Sequence, residues 1–251
     1  MVILKTTREI AKMRNAGRIS QRALQEAGKA VQPGVSTYEI DCIVREYIEK
    51  QGATPSFLGY GGFPASACIS VNNVVIHGIP SKNQILKNGD IVSIDVGAEF
   101  EGYHGDNAWT FPCGDISRQA QDLLDATREA LFEGIKNAVA GARIGDIGHA
   151  VQQYAEARSY SVVRDFVGHG VGAKLHEDPS VPNYGMPHRG VRLLPGMTIA
   201  IEPMITLGTH KVKVLDDGWT TVTADGKLAA HFEHTIAITS NGTVILTSAD
   251  Q

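Results

Sequence analysis

Two histidines lie seven positions apart in a glycine-rich segment, GHGVGAKLHEDP at 168–179. His169 stands between two glycines, and His176 lies near the end of the segment. Imidazole is the commonest metal ligand among side chains and carries protons near neutral pH. Glycine lets the backbone approach another group closely. The segment therefore predicts a loop that is approached by a metal ion and a substrate.

Acidic residues interrupt apolar, strand-like runs at four places: Asp95, Asp106, Glu202 and Glu233. Burying a carboxylate without compensation costs several kcal/mol, so it needs a cation, a hydrogen-bond network or a raised pKa. One such acid is most often a hydrogen-bonded structural residue. Four of them at equivalent points of an internal repeat, described below, favour a shared cation. Their four negative charges would be neutralised by two divalent ions.

His169 would add a single nitrogen ligand to this oxygen-rich set. The composition differs from the Cys and His ligands of structural zinc sites and is typical of manganese, iron, cobalt or zinc pairs bridged by carboxylates. Two such ions, about 3.5–4 Å apart, can stabilise the transition state of a hydrolysis. Their Lewis acidity suits the carbonyl of an amide. The pattern predicts a dinuclear, metal-dependent hydrolase, and the alternative is a buried hydrogen-bond network.

The elements that must position these residues alternate between helices and strands. Capping-box patterns predict helix starts at Thr6-x-x-Glu9 and Ser36-x-x-Glu39, and Gly52 predicts the end of the second helix. β-Type runs follow, namely ACISV, GDIVSIDVGAEF and YHGDNAWTFP, the last after a turn expected to contain Gly102 and Gly105. From Ser117 the order resumes with LLDATREALFEGIKNAV and GDIGHAVQQYAEA as helices, then MTIAIEPMITL, KVKVL, WTTVTA and HFEHTIAITS as strands.

This order reflects an internal repeat. A shift of 107 positions lays 33–49 on 140–156 and pairs Asp95 with Glu202. A shift of 99 pairs His77 with His176, and a shift of 127 pairs Asp106 with Glu233. Chance does not readily align acid with acid and histidine with histidine at non-helical positions. We therefore expect an α+β fold of two pseudo-symmetric halves, about 1–115 and 116–251, forming one catalytic domain over 1–251.

Composition limits the remaining function classes. The net charge is −4 and no basic block is present, so no nucleic-acid partner is suggested. The cysteines, Cys42, Cys68 and Cys113, are odd in number and form no CxxC pair, which fits a reducing compartment better than a disulfide framework. The N-terminal segment has no apolar core of a signal peptide, and no apolar run reaches membrane-spanning length. These observations predict a cytoplasmic protein without a membrane partner.

The ordered motifs CISVNNVVIHGIP, SIDVGA, YHGDNAWT, GHGVGAKLHEDP, AIEPM and HFEHT closely resemble the type I methionine aminopeptidases. The likeness covers essentially the whole chain and implies the "pita-bread" fold, in which helices cover a central antiparallel sheet. It implies that Asp95 binds one metal ion, that His169 and Glu202 bind the other, and that Asp106 and Glu233 bridge both.

The same resemblance implies catalytic roles and partners. Glu202 would help to move the proton of the attacking water, His176 would steady the tetrahedral intermediate, and His77 would face the scissile amide. The substrates would be peptides and nascent proteins that begin with methionine followed by a small residue. A family member acting on emerging chains would contact the ribosome, and the family suggests a monomer.

The family's methionine pocket corresponds to Phe57, Tyr60, Phe63, Cys68, Leu175 and Trp219. A thioether prefers such soft, apolar and aromatic surroundings, although any one of these aromatic residues could equally be ordinary core. Four positions depart from the common pattern. Phe57 replaces a frequent cysteine, Gly61 a histidine, Phe63 a tyrosine and Leu175 a phenylalanine. Of the other histidines, His104, His231 and His234 adjoin acids and are expected beside the ligands or at the surface, His149 falls in a helical pattern, and His188 and His210 are expected in solvated loops.

Two other classes stay open at the level of sequence. An X-Pro aminopeptidase or prolidase shares the fold, but that branch usually carries an additional N-terminal domain. A non-catalytic binding relative would have lost ligands, whereas all five proposed ligands are present here.

Overall fold

Within residues 1–248, the part of the chain that this computed structural model describes, the helices are α1 (Thr7–Lys29), α2 (Thr37–Lys50), α3 (Arg118–Asn137) and α4 (Ile144–Glu156). The last three residues of the expected domain, 249–251, lie outside the described residues. Both predicted capping boxes are formed. Thr6 Oγ1 accepts the Glu9 N–H at 3.3 Å, and Ser36 Oγ accepts the Glu39 N–H at 3.2 Å. Each glutamate accepts the N–H of its cap residue in return.

The strands of the first half are β1 (Thr54–Pro55), β2 (Ala67–Val71), β3 (Val74–Ile76), β4 (Ile91–Phe100) and β5 (Tyr103–Pro112). Those of the second half are β6 (Ser161–Val162), β7 (Gly168–Gly170), β8 (Glu177–Val181), β9 (Thr198–Ile201), β10 (Met204–Thr206), β11 (Val212–Val214), β12 (Thr221–Thr223), β13 (Ala229–His231), β14 (His234–Thr239) and β15 (Gly242–Ile245). A short 3-10 helix covers Tyr60–Gly62.

The fold is built on four antiparallel β-sheets in the described residues. β4 pairs with β5 on one edge and with β1 and β2 on the other. A second sheet has the order β15-β14-β9-β7-β8, and two smaller sheets have the orders β13-β10-β6 and β11-β12-β3. One core lies between α1, α2 and the β4 sheet, and another lies between α3, α4 and the second half's strands. This arrangement confirms the predicted α+β class.

The repeat is visible in the positions of the elements. α2 and α4 begin 107 positions apart, and so do β4 and β9. The backbone repeats with the same offset: the N–H of Gly34 donates to Leu86 O at 2.9 Å, and the N–H of Gly141 donates to Leu193 O at 2.9 Å. The two glycines have φ values of 95° and 94°, a left-handed conformation that glycine adopts without strain.

One local expectation is wrong. The β4–β5 turn is made by Glu101 and Gly102, with φ values of 53° and 78°, whereas Gly105 lies within β5. A Cβ at Gly105 would come within 2.4 Å of the Gly17 Cα in α1. Gly105 is therefore required by close helix–strand packing and not by the turn. None of the helices within residues 1–248 has the length and apolarity that crossing a membrane would require.

Candidate active site

A cavity of about 190 Å³ lies where the two halves meet. Its walls include every ligand expected from the sequence, Asp95, Asp106, His169, Glu202 and Glu233. They also include both expected catalytic histidines and the whole expected pocket, namely His77, His176, Phe57, Tyr60, Phe63, Cys68, Leu175 and Trp219. Sequence reasoning missed three further lining residues, Ile76, Phe166 and Val167. The sequence marked Phe166 only by its aromatic side chain and its position, three residues before His169.

The first half contributes two carboxylates from neighbouring strands. Asp95 in β4 is opposite Ala108 in β5, and Asp106 in β5 is opposite Gly97 in β4. Side chains two positions apart on a strand share a face, so this register makes the two acids diagonal neighbours. Thr235 of β14 fixes the backbone of Asp106 from the other half: its Oγ1 accepts the Asp106 N–H at 3.1 Å and donates to Asp106 O at 2.7 Å.

The second half supplies three groups at strand ends. His169 lies in β7, Glu202 directly follows β9, and Glu233 lies between β13 and β14. His169 Nε2 is 3.7 Å from Asp106 Oδ2 and 3.5 Å from Glu202 Oε1. Ligand atoms of Asp106, His169 and Glu233 all lie within 4.8 Å of one another. The fold thus brings acids from both halves to one imidazole.

The electrostatics of this cluster favour a bound cation. Burial, together with the neighbouring carboxylates, raises the pKa values of Asp95, Glu202 and Glu233 well above their ordinary range. Burial raises the pKa of Asp106 to about 7. Burial and the nearby His176 lower the pKa of His169 to about 3, which leaves a neutral imidazole able to act as a ligand.

The residues present fit divalent metal ions. Buried oxygens of three of the acids, Asp95 Oδ1, Asp106 Oδ1 and Glu233 Oε1, have no hydrogen-bond partner among the described residues. Buried polar atoms normally have partners, so these oxygens need an explanation. Carboxylate oxygens with one imidazole nitrogen form the donor set that manganese, iron, cobalt and zinc accept.

Two more histidines approach the cluster from different elements. His77 directly follows β3 with a φ of 57°, and its ring packs edge-on to Phe166 and Trp219. Burial lowers the pKa of His77 to about 4. The His176 ring lies 4.0 Å from that of His169, and its Nδ1 is 2.8 Å from the Tyr60 hydroxyl. Burial also lowers the pKa of His176.

The apolar wall of the cavity forms one cluster. Its members include the buried Phe57, Phe63, Cys68 and Leu175, with Trp219 packed against them. The Phe63 and Trp219 rings meet edge to face at 5.2 Å. At the departure noted above, a Cβ on Gly61 would lie 3.2 Å from the Trp219 ring. A side chain at this position would therefore require Trp219 to move slightly.

The remaining histidines differ in burial. His231 and His234 are buried, which excludes a surface location for both. Within residues 1–248, His231 Nε2 has no hydrogen-bond partner, and it lies 3.9 Å from Glu202 Oε2. His234 Nδ1 is 2.9 Å from Thr247 Oγ1. His104 Nδ1 is hydrogen-bonded to Ser56, His149 lies in α4, and His188 is exposed beside Asp146. His231 alone of these faces a proposed ligand.

Comparisons with known proteins agree with this geometry. The family model "Metallopeptidase family M24" matches residues 11–240. The methionine aminopeptidase 1 of Bacillus subtilis (strain 168) is 55% identical over 247 residues, which cover 98% of this chain and 99% of that protein. The crystal structure of the methionine aminopeptidase of Thermotoga maritima superposes with a TM-score of 0.97 at 48% identity and covers 99% of this chain and 100% of that one.

A more distant likeness shows only the shared fold. The prolidase of Pyrococcus furiosus superposes with a TM-score of 0.80 at 24% identity, and 66% of its chain is covered. The relative and the structure that match over full length are both methionine aminopeptidases, so the X-Pro alternative is not favoured. The chain therefore belongs to metallopeptidase family M24, among its methionine aminopeptidases.

Proposed function

We propose that this protein removes N-terminal methionine from peptides and nascent proteins whose second residue is small, by metal-dependent hydrolysis. One observation carries the proposal: an apolar, aromatic pocket opens directly onto a buried cluster of four acids and an imidazole. A methionine side chain in the pocket would leave its own peptide bond beside the acids. A cavity of about 190 Å³ suits one side chain better than a large ligand.

Two divalent ions are the proposed cofactors, drawn from cobalt, manganese, iron or zinc. Asp95 would hold one ion, His169 and Glu202 the other, and Asp106 and Glu233 would bind both. The four carboxylates balance the charge of two divalent ions, and their unpartnered oxygens support the assignment. When bound, such ions polarise a carbonyl and lower the pKa of water.

The protein's own groups then orient the substrate and move protons. Glu202 accepts a proton from the attacking water and passes it to the departing amine. The Tyr60 hydroxyl holds His176 through Nδ1 at 2.8 Å, and His176 directs its other ring nitrogen at the oxygen that becomes negative in the transition state. A neutral imidazole suits this task because it can donate one N–H. His77 faces the scissile amide from the opposite wall.

The pocket is proposed to select the methionine thioether through its shape and its polarisable lining. Sulfur makes mildly favourable contacts at the edges of aromatic rings, and Phe63, Trp219 and Phe166 present rings to the cavity. Cys68 adds a small polarisable group, and burial together with Asp95 raises the pKa of its thiol well above the ordinary value. The thiol therefore stays uncharged beside the acids.

We further propose that residues 1–251 act as one catalytic domain of two halves, about 1–115 and 116–251, in the cytoplasm and as a monomer. The three free thiols of the described residues are compatible with a reducing compartment. A ribosome contact would suit an enzyme that acts on emerging chains.

Hydrolysis of Met-Gly-Met tests the function against its alternatives. Protein freed of metal and reloaded with Mn²⁺, Co²⁺, Fe²⁺ or Zn²⁺ under anaerobic conditions is assayed against Met-Gly-Met and X-Pro peptides, with bound metal counted per chain. Release of methionine from Met-Gly-Met alone, with two ions per active chain, is expected. Cleavage of X-Pro peptides alone would replace the proposal with the prolidase activity, and loss of both activities would favour a binding protein.

A further inference from the structure

A buried ion pair lies beside the active site and outside its cavity. Lys5, in the segment before α1, pairs through Nζ with Glu177 Oε2 at the start of β8. Their side chains are only 4% and 5% exposed. Lys5 also donates through Nζ to Ile3 O at 3.0 Å and through its backbone N–H to Gly196 O at 2.7 Å. The N-terminal segment is thus fixed onto the second half of the chain.

Burial distinguishes this pair from the other lysine and arginine ion pairs of the described residues. Lys29 and Glu26 on α1, at 2.7 Å, are 70% and 44% exposed and can exchange with water. A buried charge needs its partner, whereas apolar side chains of similar volume would stabilise a fold as well or better. Overall stability therefore does not explain a buried lysine and glutamate here. A requirement for one particular local conformation does.

Glu177 is hydrogen-bonded to the loop that carries His176, the residue before it in the chain. Glu177 Oε1 accepts the Lys174 N–H at 3.1 Å, and the Gly172 N–H donates to Lys174 O at 3.0 Å. A Cβ on Gly172 would lie 2.4 Å from Glu177 Oε1 and 2.6 Å from Lys5 Cε. The loop 172–177 thus closes around the carboxylate with no spare volume.

The two sides of His176 are consequently held by different elements. On the cavity side, Tyr60 contacts the ring through Nδ1. On the far side, the backbone of 176–177 is tied to Lys5 through the Glu177 carboxylate. Without the ammonium group, Glu177 would be a lone buried charge, and turning it toward water would carry His176 with it.

We propose that Lys5 is a positioning residue for His176. Its ammonium group fixes the Glu177 carboxylate, which holds loop 172–177 so that the His176 imidazole stays over the acid cluster. The inference rests on the function proposed for His176. It assigns to the N-terminal segment a role in turnover, although no residue of that segment lines the cavity.

The test compares Lys5→Met with the matched surface variant Lys29→Met, in the full chain. The first readout is kcat and KM for Met-Gly-Met with Mn²⁺. Lys5→Met is expected to lower kcat about 10- to 100-fold, since a small misplacement of a catalytic group has effects of this size, while KM changes little. Lys29→Met is expected to match the wild type. Equal kcat values for the two variants would overturn the inference.

The second readout needs neither substrate nor metal. Ring-nitrogen resonances of His176 in ¹⁵N-histidine-labelled, metal-free protein, assigned with His176→Ala, are expected to shift or broaden in Lys5→Met, while those of exposed His188 stay in place. A lowered kcat with unchanged His176 resonances would contradict positioning. Failure of the wild type to cleave Met-Gly-Met would count against the proposed function, and the resonances would still decide the role of Lys5.

Two further variants separate positioning from misfolding. Lys5→Arg keeps a cation but adds volume to a closely packed site, so its kcat is compared with its His176 resonances: the two are expected to change together, and a lowered kcat with native His176 resonances would contradict positioning. Lys5→Met/Glu177→Gln leaves no lone buried charge, so it covers the case in which Lys5→Met does not fold. It is expected to have a near-native Tm with lowered kcat and shifted His176 resonances. Native kcat and resonances in this double variant would overturn the proposal.

Discussion

At the scale of single residues, charge matters more than size at the acid cluster. The pKa values of Asp95, Glu202 and Glu233 are raised by burial and by the neighbouring Asp106 carboxylate. Their ionised forms are therefore unfavourable until a cation binds. An amide of the same shape keeps the packing and loses both the negative charge and the ability to accept a proton.

Glu202→Gln tests the proton-transfer role. The substitution preserves volume, so the fold and its Tm are expected to persist, while kcat for Met-Gly-Met falls about 10²- to 10⁴-fold, as for removal of a general base. Methionine release is measured in stopped assays, and the metal content of the same sample is determined. The two measurements distinguish a slower chemical step from a loss of bound metal. Near-normal turnover at full metal occupancy would reject the role of Glu202.

His231 is a residue whose function the motifs did not indicate. Burial, with His77 nearby, lowers its pKa to about 3, so the ring is neutral, and its unpartnered Nε2 lies 3.9 Å from Glu202 Oε2. We predict that His231→Leu weakens Mn²⁺ binding about 10- to 100-fold, as for loss of a group that orients a metal ligand. His231→Gln keeps a hydrogen-bond donor and should lose less Mn²⁺ affinity than His231→Leu.

Isothermal titration of metal-free protein with Mn²⁺ measures this difference. His234→Gln is the matched control, because His234 is also buried but already bonded to Thr247. Equal affinities for wild type and His231→Leu would show that the ring does not support Glu202.

At the scale of elements, the capping boxes show how local sequence sets a boundary. Glu9 accepts the Thr6 N–H at 2.7 Å and also the Tyr103 hydroxyl at 2.8 Å. Among the described residues, the Glu39 carboxylate accepts hydrogen bonds only from Ser36. The Thr6 and Tyr103 hydrogen bonds lower the pKa of Glu9 to about 2 from the ordinary 4.5. A carboxylate with a lowered pKa in the folded state stabilises that state above its unfolded pKa.

Glu9→Gln is therefore expected to cost about 1 kcal/mol at pH 7, similar to the loss of a helix cap. The difference from the wild type should shrink as the pH falls from 4.5 through about 2 and vanish only below the folded-state pKa, where Glu9 is protonated in both states. Urea unfolding at several pH values measures this effect. Glu39→Gln, which breaks a capping box without a tyrosine contact, should cost less; a pH-independent difference for Glu9→Gln would contradict the explanation.

Local signals predicted both capping boxes and several strands, because capping and strand alternation are written in neighbouring positions, whereas the candidate site residues came from the internal repeat and from the family resemblance. Contacts between distant positions were not predicted. Gly105 was assigned to a turn, since nothing near it in sequence reveals that α1 packs against it. Lys5 and Glu177 are 172 positions apart. The HFEHT motif placed His231 near Glu233 in the sequence, but its proximity to Glu202 comes from the pairing of β10 with β13.

At the scale of the whole molecule, elements that recur at one offset bring the proposed ligands together. Equivalent elements at an offset of 107 present Asp95 from β4 and Glu202 from the end of β9. β5 and the segment before β14 then cross between the halves, where the Glu233 N–H donates to Ala108 O at 2.9 Å. Metal ions bound here would join both halves, so binding should stabilise the entire fold.

Asp106→Asn separates metal binding from packing. Asp106 is 3% exposed with one oxygen unpartnered, so the metal-free variant should be at least as stable as the metal-free wild type. Mn²⁺ at 100 times its Kd should stabilise the wild type by about 2.7 kcal/mol for each ion bound, and the variant by far less. Asp41→Asn is the contrasting control: its carboxylate accepts the N–H groups of Ser66 and Ala67. Both hydrogen bonds end on Oδ1, which an amide oxygen can replace, and burial raises the pKa of Asp41, so this control should keep its metal-free stability as well as the Mn²⁺ response. Differential scanning calorimetry with and without Mn²⁺ gives both quantities, and an undiminished response in Asp106→Asn would mean that the halves are not joined through this acid.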